Sequence, residues 1–138
     1  MSSSNWRIIT LAAMLAVAFT TAQAQVTLKA QVPFSFTAGS DKIQQPGGYS
    51  ITNEGSVWYI RGDDSRQTTL ALPRAVTRSS HNNPPKLVFH CRTVVCSLYA
   101  IEKAGGDGAL FSEPKRDKDE ANKLARIVVV PLTSSNAE

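Results

Sequence analysis

Hydrophobic and polar residues alternate along the segment from Val26 to Phe36, where an apolar side chain recurs at every second position. A period of two residues is typical of a β-strand with one face on a core and the other toward solvent. Pro33 lies among the polar positions and has no N–H to donate. We therefore predict a strand that is either at a sheet edge or interrupted by a bulge at Pro33.

Short apolar segments separated by turn sequences continue along most of the chain. The clearest turn signals are Pro46-Gly47-Gly48, Gly62-Asp63-Asp64, Asn82-Asn83-Pro84-Pro85 and Gly105-Gly106-Asp107-Gly108. Glycine, proline, asparagine and aspartate favour turns because they tolerate or fix the backbone angles that turns require. Eight or so short strands at this spacing predict a mostly β domain, built as an antiparallel sandwich or a small barrel.

One segment near the C-terminus, Glu113 to Arg126, has helical character, with Pro114 acceptable in a first turn and a narrow apolar stripe after it. We predict one short peripheral helix there. Ile127 to Val130 then predicts a final buried strand. The single β-rich domain is predicted to span residues 25–132, and residues 133–138 are predicted to be a flexible tail.

The first 24 residues have the features of a secretory signal peptide. Arg7 precedes a mainly apolar run from Ile8 to Phe19, and small residues end the segment at Ala24. We predict cleavage between Ala24 and Gln25. The apolar run is shorter than the roughly 20 residues that a membrane-spanning helix needs. The mature chain is therefore expected to be secreted or periplasmic, without membrane insertion.

The charge balance excludes one broad class of partner. The formal net charge is +4, and removal of a signal segment that contains Arg7 lowers it to +3. The basic residues are scattered, and the dense run from Lys115 to Lys123 contains both signs. Nucleic-acid-binding proteins instead concentrate basic residues in a stripe or patch. We therefore predict no nucleic-acid partner.

Cys91 and Cys96 are the only cysteines, and in an exported protein we predict that they form a disulfide with each other. If residues 93–94 form a two-residue hairpin loop, the two cysteines lie directly across from each other, with Cα atoms about 4.5 Å apart. A four-residue loop would also leave the sulfur atoms adjacent. A redox-active pair is an alternative, although the spacing is not the C-x-x-C associated with lowered thiol pKa values.

A metal site is a further alternative, because His90, Cys91 and Cys96, with His81 nearby, are residue types that zinc accepts. However, His90 and Cys91 are neighbours in a predicted strand, so their side chains point to opposite faces. We therefore predict no metal and no cofactor.

Catalytic signatures such as G-x-S-x-G, H-E-x-x-H and a phosphate-binding glycine loop do not occur in the sequence. We therefore name no catalytic residue. A hydrolase whose site is assembled from separated residues such as His90, Asp63 or Glu102 stays open, since catalytic triads form in space and not in sequence order. A carboxylate beside His90 in a concave pocket would favour that alternative.

Four aromatic residues could contribute either to the core or to a carbohydrate-binding face: Tyr49, Trp58, Tyr59 and Tyr99. Trp58 and Tyr59 are adjacent in a predicted strand. Alternation therefore places their side chains on opposite faces of the sheet, so that one of them can face solvent.

Two sequence segments, Val32 to Thr37 and Gln45 to Ile51, resemble a pattern found in small exported proteins of acidobacteria. That pattern reads V-P-F-x-F, a polar loop, L-P-A-G-x-Y-x-V and later L-V-F-H, which Leu87 to His90 matches. This chain has Gln45 and Gly47 where the pattern has leucine and alanine. The resemblance implies a secreted, β-rich domain and supplies no catalytic residues.

These features together predict an exported small β-domain that acts as a binding or structural module in the cell envelope. Its expected partner is an envelope protein or a glycan. A secreted hydrolase and a Cys/His metal or redox module are the alternatives.

Overall fold

The computed structural model describes residues 26–80, 82–92, 95–113 and 125–135. Their regular structure is β-strand, which confirms the prediction of a mostly β domain. The strands are β1 (Thr27–Val32), β2 (Phe36–Thr37), β3 (Ile43–Gln44), β4 (Gly47–Glu54), β5 (Val57–Gly62), β6 (Thr68–Ala71), β7 (Ala75–Arg78), β8 (Lys86–Arg92), β9 (Val95–Glu102), β10 (Asp107–Leu110), β11 (Arg126–Pro131) and β12 (Thr133–Ser135).

The strands form two sheets that pack as a sandwich. The five-stranded sheet has the order β12-β1-β4-β5-β6, and the seven-stranded sheet has the order β11-β8-β9-β10-β7. The short strands β2 and β3 complete the second sheet, and β2 pairs in parallel with β9. Within the described residues the two sheets remain separate, so the sandwich, and not the closed barrel, is the architecture. The face of each sheet that points away from the core is called its outer face below.

Aromatic rings join the two sheets in the middle of the core. Phe89 is completely buried, and its ring meets the rings of Phe34 and Phe36 at centroid distances of 4.9 and 5.3 Å. The Phe36 ring in turn meets Tyr49 of the opposite sheet at 5.1 Å. All three contacts are edge-to-face, the arrangement that the charge distribution of aromatic rings favours. This cluster therefore holds the two sheets together.

Tyr49 also explains the turn sequence that precedes β4. Its hydroxyl donates a hydrogen bond to the backbone carbonyl of Gln45, four residues upstream. Burial raises the pKa of the Tyr49 hydroxyl, so this group stays a neutral donor at physiological pH. The tyrosine thereby ties the bend at Pro46 to the core, whereas Gly47 and Gly48 of the predicted turn belong to β4.

Pro33 interrupts the first alternating segment, but not in the predicted way. β1 ends at Val32 and lies between β12 and β4, so it is neither an edge strand nor bulged at Pro33. After Pro33 the chain crosses to the seven-stranded sheet, where Phe36 starts β2. Because Pro33 lacks an N–H, it cannot continue the hydrogen-bond ladder, and the chain changes sheets at this point.

The prediction of a final buried strand is also wrong in part. β11 is the edge of the seven-stranded sheet, and 65% of Ile127 and 50% of Val129 remain exposed, whereas Val130 is buried. A continuous apolar run therefore fits an edge strand as well as a central one. Most of the predicted helix, residues 114–124, lies outside the described residues, and Arg126 at its end begins β11.

The predicted flexible tail is ordered in its first half. Thr133–Ser135 forms β12, which pairs with β1 through Thr27 and Ser135. The buried side chain of Leu132 anchors the chain immediately before this strand. The chain thus passes from the edge of one sheet to the edge of the other, and pairing with β1 supplies backbone hydrogen bonds that an isolated tail lacks.

Candidate functional site

The outer face of the five-stranded sheet carries a depression of about 610 Å³, which we call the outer groove. Strand alternation directs polar side chains to this face, and the register places Lys29 opposite Ser50 and Ser50 opposite Arg61. The hydroxyl groups that line the outer groove belong to Thr27, Ser50, Thr52, Tyr59 and Thr68.

Three polar side chains of the outer groove form a hydrogen-bonded network. The Lys29 ammonium donates to Ser50 Oγ at 2.7 Å, and the Ser50 hydroxyl donates to Asp63 Oδ1, also at 2.7 Å. Lys29 Nζ lies 3.4 Å from the same carboxylate oxygen. The backbone N–H of Asp63 donates to the Gly48 carbonyl at 2.9 Å, which fixes the Asp63 turn against β4.

This network sets the charge state of Asp63. The hydrogen bond from Ser50, followed by the hydrogen bond and charge of Lys29, lowers the pKa of the Asp63 carboxyl. A carboxyl with a lowered pKa in the folded state stabilises the fold above its ordinary pKa, and this effect is lost as the pH falls through the lowered value. Because both Lys29 and Asp63 are more than one-third exposed, solvent screens the pair and its contribution to stability is small.

Tyr59 is the aromatic residue of the outer groove. The adjacent Trp58 is 2% exposed and belongs to the core, whereas the Tyr59 ring is half-buried on the outer face. The prediction that these two residues face opposite ways is confirmed. Leu70 lies across from Tyr59 on β6, and 59% of its surface is exposed. Together they place an apolar surface beside the hydroxyl groups.

Cys91 and Cys96 form a disulfide, as the sequence predicts. The two residues are direct partners in the β8–β9 register, with Cα atoms 4.0 Å apart, and Arg92 pairs with Val95 beyond them. This register leaves residues 93–94 as the connection between the two strands. Both half-cystines are buried and face the core. A disulfide of this kind fits an oxidising, extracytoplasmic environment.

The disulfide is expected to stabilise the fold by about 2 kcal/mol, because it closes a loop of only six residues in the unfolded chain. Urea unfolding of the wild type with and without a strong reductant measures this difference. The matched control is the double variant Cys91→Ala/Cys96→Ala, whose free energy of unfolding should not respond to reductant. Equal stability of the oxidised and reduced wild type would show that the bond does not act as a staple.

A second depression, of about 490 Å³, lies on the outer face of the seven-stranded sheet, and we call it the histidine depression. His90 Nδ1 lies 2.7 Å from Glu113 Oε1, and the imidazole stacks on the Tyr99 ring with a centroid distance of 4.0 Å. The Arg74 guanidinium lies 5.9 Å from the centroid of the same tyrosine ring. Arg92 also lines this surface.

Tyr99 enters the histidine depression from β9, at the position of a β-bulge. Phe89 pairs with Leu98 and Val88 pairs with Ala100, so Tyr99 is an extra residue in β9. A bulge reorients the side chains next to it, and bulges are frequent beside functional sites. Alternation from the core residues Cys96 and Leu98 already directs Tyr99 outward, and the extra residue reverses the inward and outward pattern only beyond it.

The residues considered for a hydrolase do not come together. Asp63 lies on the opposite sheet, and Glu102 forms an ion pair with Lys86 at 3.4 Å. A carboxylate does lie beside His90 in a depression, which is the condition that favours the hydrolase alternative, but it belongs to Glu113, which the sequence analysis placed only at the start of a helix. Among the described residues no hydroxyl or thiol makes a hydrogen bond with His90, so they do not form a pair of nucleophile and base.

The metal alternative fails on the geometry of its proposed ligands. The sulfur atoms of Cys91 and Cys96 are bonded to each other and face the core, whereas His90 lies on the outer face. His81 lies outside the described residues. The described part of the chain contains no group of three or more histidine, cysteine, aspartate or glutamate residues arranged to hold a metal ion.

No family model matches this sequence, and neither a curated protein nor a solved structure is detectably similar to it. In the part of the chain that the structure describes, no helix is long and apolar enough to cross a membrane. The outer groove and the histidine depression are the candidate functional sites.

Proposed function

We propose that this protein is an exported binding module of the cell envelope and that the outer groove binds a glycan. The observation that carries the proposal is the half-buried ring of Tyr59, which lines a depression of about 610 Å³ among hydroxyl and charged groups. A sugar ring has apolar C–H faces and a rim of hydroxyl groups. An aromatic face beside hydrogen-bonding side chains matches both parts.

The polar groups of the groove are already held in place, which supports a binding role. Lys29, Ser50 and Asp63 come from three different segments and fix one another through contacts of 2.7 to 3.4 Å. Side chains that are ordered before a ligand arrives lose little entropy on binding. The network presents an ammonium donor and a carboxylate acceptor, and such fixed polar groups orient a ligand in a site.

The composition of the outer groove favours a glycan over a protein as the partner. Tyr59 is the one lining residue that is neither charged nor a serine or threonine, and Leu70 lies beside the groove as its cross-strand partner. The centre of a protein–protein interface is usually depleted in charged residues. Binding to an envelope protein is therefore the competing outcome of the experiment below.

The N-terminal segment and the disulfide together support export. We propose that residues 1–24 are a signal peptide cleaved between Ala24 and Gln25, and that the mature protein is periplasmic or secreted. The disulfide supports this location, because such bonds persist in oxidising compartments. The resemblance to exported acidobacterial proteins points the same way.

Removal of the Tyr59 ring is expected to abolish most of the glycan affinity. Retardation of the mature protein in native gels that contain dissolved polysaccharides identifies a ligand, and calorimetry with its oligosaccharide then gives the Kd. Tyr59→Ala should raise this Kd by at least about tenfold, because a stacked aromatic side chain is a typical energetic centre of a binding site.

Ile127→Ala is the matched control for Tyr59→Ala, since it removes an exposed apolar side chain from the other sheet. It should leave the Kd unchanged. Equal affinity of Tyr59→Ala and the wild type would refute the outer groove as the site. A different result would point to a protein partner instead of a glycan. In that case no polysaccharide would retard the wild type, and the wild type would capture one envelope protein that Tyr59→Ala does not bind.

A further inference from the structure

We infer that the histidine depression is a second binding site, whose ligand is a small hydroxylated anion: a carboxylate or phosphate group with a neighbouring hydroxyl. It lies on the sheet opposite the outer groove and does not depend on the glycan proposal. Its volume of about 490 Å³ falls in the range of small-molecule sites. Three side chains carry the inference: Arg74, His90 and Tyr99.

His90 supplies a positioned hydrogen-bonding group. The Glu113 carboxylate accepts the Nδ1 proton at 2.7 Å, and stacking on Tyr99 at an interplanar angle of 13° fixes the plane of the ring. A carboxylate only accepts hydrogen bonds, so Nδ1 is the ring nitrogen that donates to Glu113 and Nε2 is the one left for a ligand. Nε2 makes no hydrogen bond with the described residues, so it can form one with a ligand hydroxyl, which both donates and accepts.

Arg74 supplies the anion-binding group. Its Nε donates to the Phe111 carbonyl at 3.4 Å, and its backbone N–H donates to the Leu110 carbonyl at 2.8 Å, so both ends of the residue are anchored. Among the described residues its terminal nitrogens have no hydrogen-bond partner. A planar guanidinium can hold a carboxylate or phosphate through two parallel hydrogen bonds.

The His90 imidazole and the Arg74 guanidinium are both supported by the Tyr99 ring. This shared support fixes the distance between the two groups that a ligand must contact. His90 and Arg74 pack on the ring of Tyr99, which lies on the outer face. A neutral sugar would leave the guanidinium without an anionic partner, and a simple anion would leave Nε2 unused. The site therefore selects a ligand that carries both an anionic group and a hydroxyl group.

The test is a titration of the full-length mature protein followed by NMR of its histidine side chains. His90 and His81 are the only histidines, so His81 is an internal reference. The probes are sodium glucuronate and glycerol phosphate, compared with acetate, which lacks a hydroxyl, and glucose, which lacks a charge. We expect saturable shifts of the His90 signals with glucuronate or glycerol phosphate, and the stronger of the two identifies the anion. Acetate and glucose should bind at least about tenfold more weakly.

Arg74→Gln should weaken binding by about tenfold, and Arg74→Lys should restore part of it, because lysine keeps the charge but not the planar fork. Both variants should unfold at the wild-type urea concentration, which separates a lost contact from a lost fold. Equal shifts of both histidines, equal affinity for acetate and glucuronate, or unchanged binding by Arg74→Gln would each overturn the inference. Tyr59→Ala should bind these anions with the wild-type affinity. The anion site and the glycan site can therefore be refuted independently of each other.

Discussion

Replacement of Phe89 by alanine is expected to lower the free energy of unfolding by about 3–5 kcal/mol. Domains of this size are typically stable by only about 5–15 kcal/mol, so the variant should be close to unfolding. Phe89 is fully buried, and its ring contacts Phe34 and Phe36 at the centre of the sandwich. Its removal leaves a cavity between two sheets whose backbones are too constrained to collapse into it.

Urea unfolding followed by tryptophan fluorescence measures this loss, since Trp58 is buried in the same core. Val88→Ala is the matched control, because it shortens the preceding residue of β8, which is half-buried on the outer face. It should destabilise the protein by no more than about 1 kcal/mol. A Phe89→Ala variant within about 1 kcal/mol of the wild type would show that the aromatic cluster does not hold the sheets together.

Gly108→Ala is expected to destabilise the protein nearly as much, because it adds an atom where the structure has no space for one. A Cβ at Gly108 would lie 2.2 Å from the carbonyl oxygen of Ile101 and 2.7 Å from Thr77 Oγ1. The Ile101 oxygen belongs to the backbone of β9, which pairs with strands on both sides and cannot move without breaking a ladder. We expect a loss of about 3 kcal/mol in the free energy of unfolding, at the upper end of the usual effect of overpacking.

The neighbouring Gly106→Ala provides the control for the Gly108 experiment. A Cβ at Gly106 would meet only the flexible Lys103 side chain, at 3.6 Å, which is ordinary van der Waals contact. Its stability should differ from that of the wild type by less than about 0.5 kcal/mol. If both alanine variants unfold at the same urea concentration, the close approach of β10 to β9 is not what requires a glycine at position 108.

The cysteine hairpin is a feature whose geometry could be predicted from the local sequence. The spacing of Cys91 and Cys96, with two residues for the loop, predicts that they face each other, and the register and the disulfide agree. The opposite orientations of Trp58 and Tyr59 follow from alternation in the same way. These predictions succeed because both partners lie within a few residues of each other, where strand geometry alone determines the direction of each side chain.

The two depressions could not be predicted in this way. Lys29 and Asp63 are 34 residues apart, and they meet only because β1 and β5 both pair with β4. His90 and Glu113 are 23 residues apart, and Tyr99 of the neighbouring strand completes their surface. Strand order and bulge position depend on which strands pair, and no local period in the sequence records either one.

Periodicity and turn residues therefore determined that this is a turn-rich β domain, and the spacing of the only two cysteines determined the disulfide between Cys91 and Cys96. Tertiary structure decided that the chain changes sheets at Pro33, that β11 lies at an edge, and that residues from Thr133 onward pair with β1. The physical reason is the range of the interactions. Alternation and turns act over a few residues, whereas sheet order and the grouping of polar side chains on an outer face arise from contacts between distant segments.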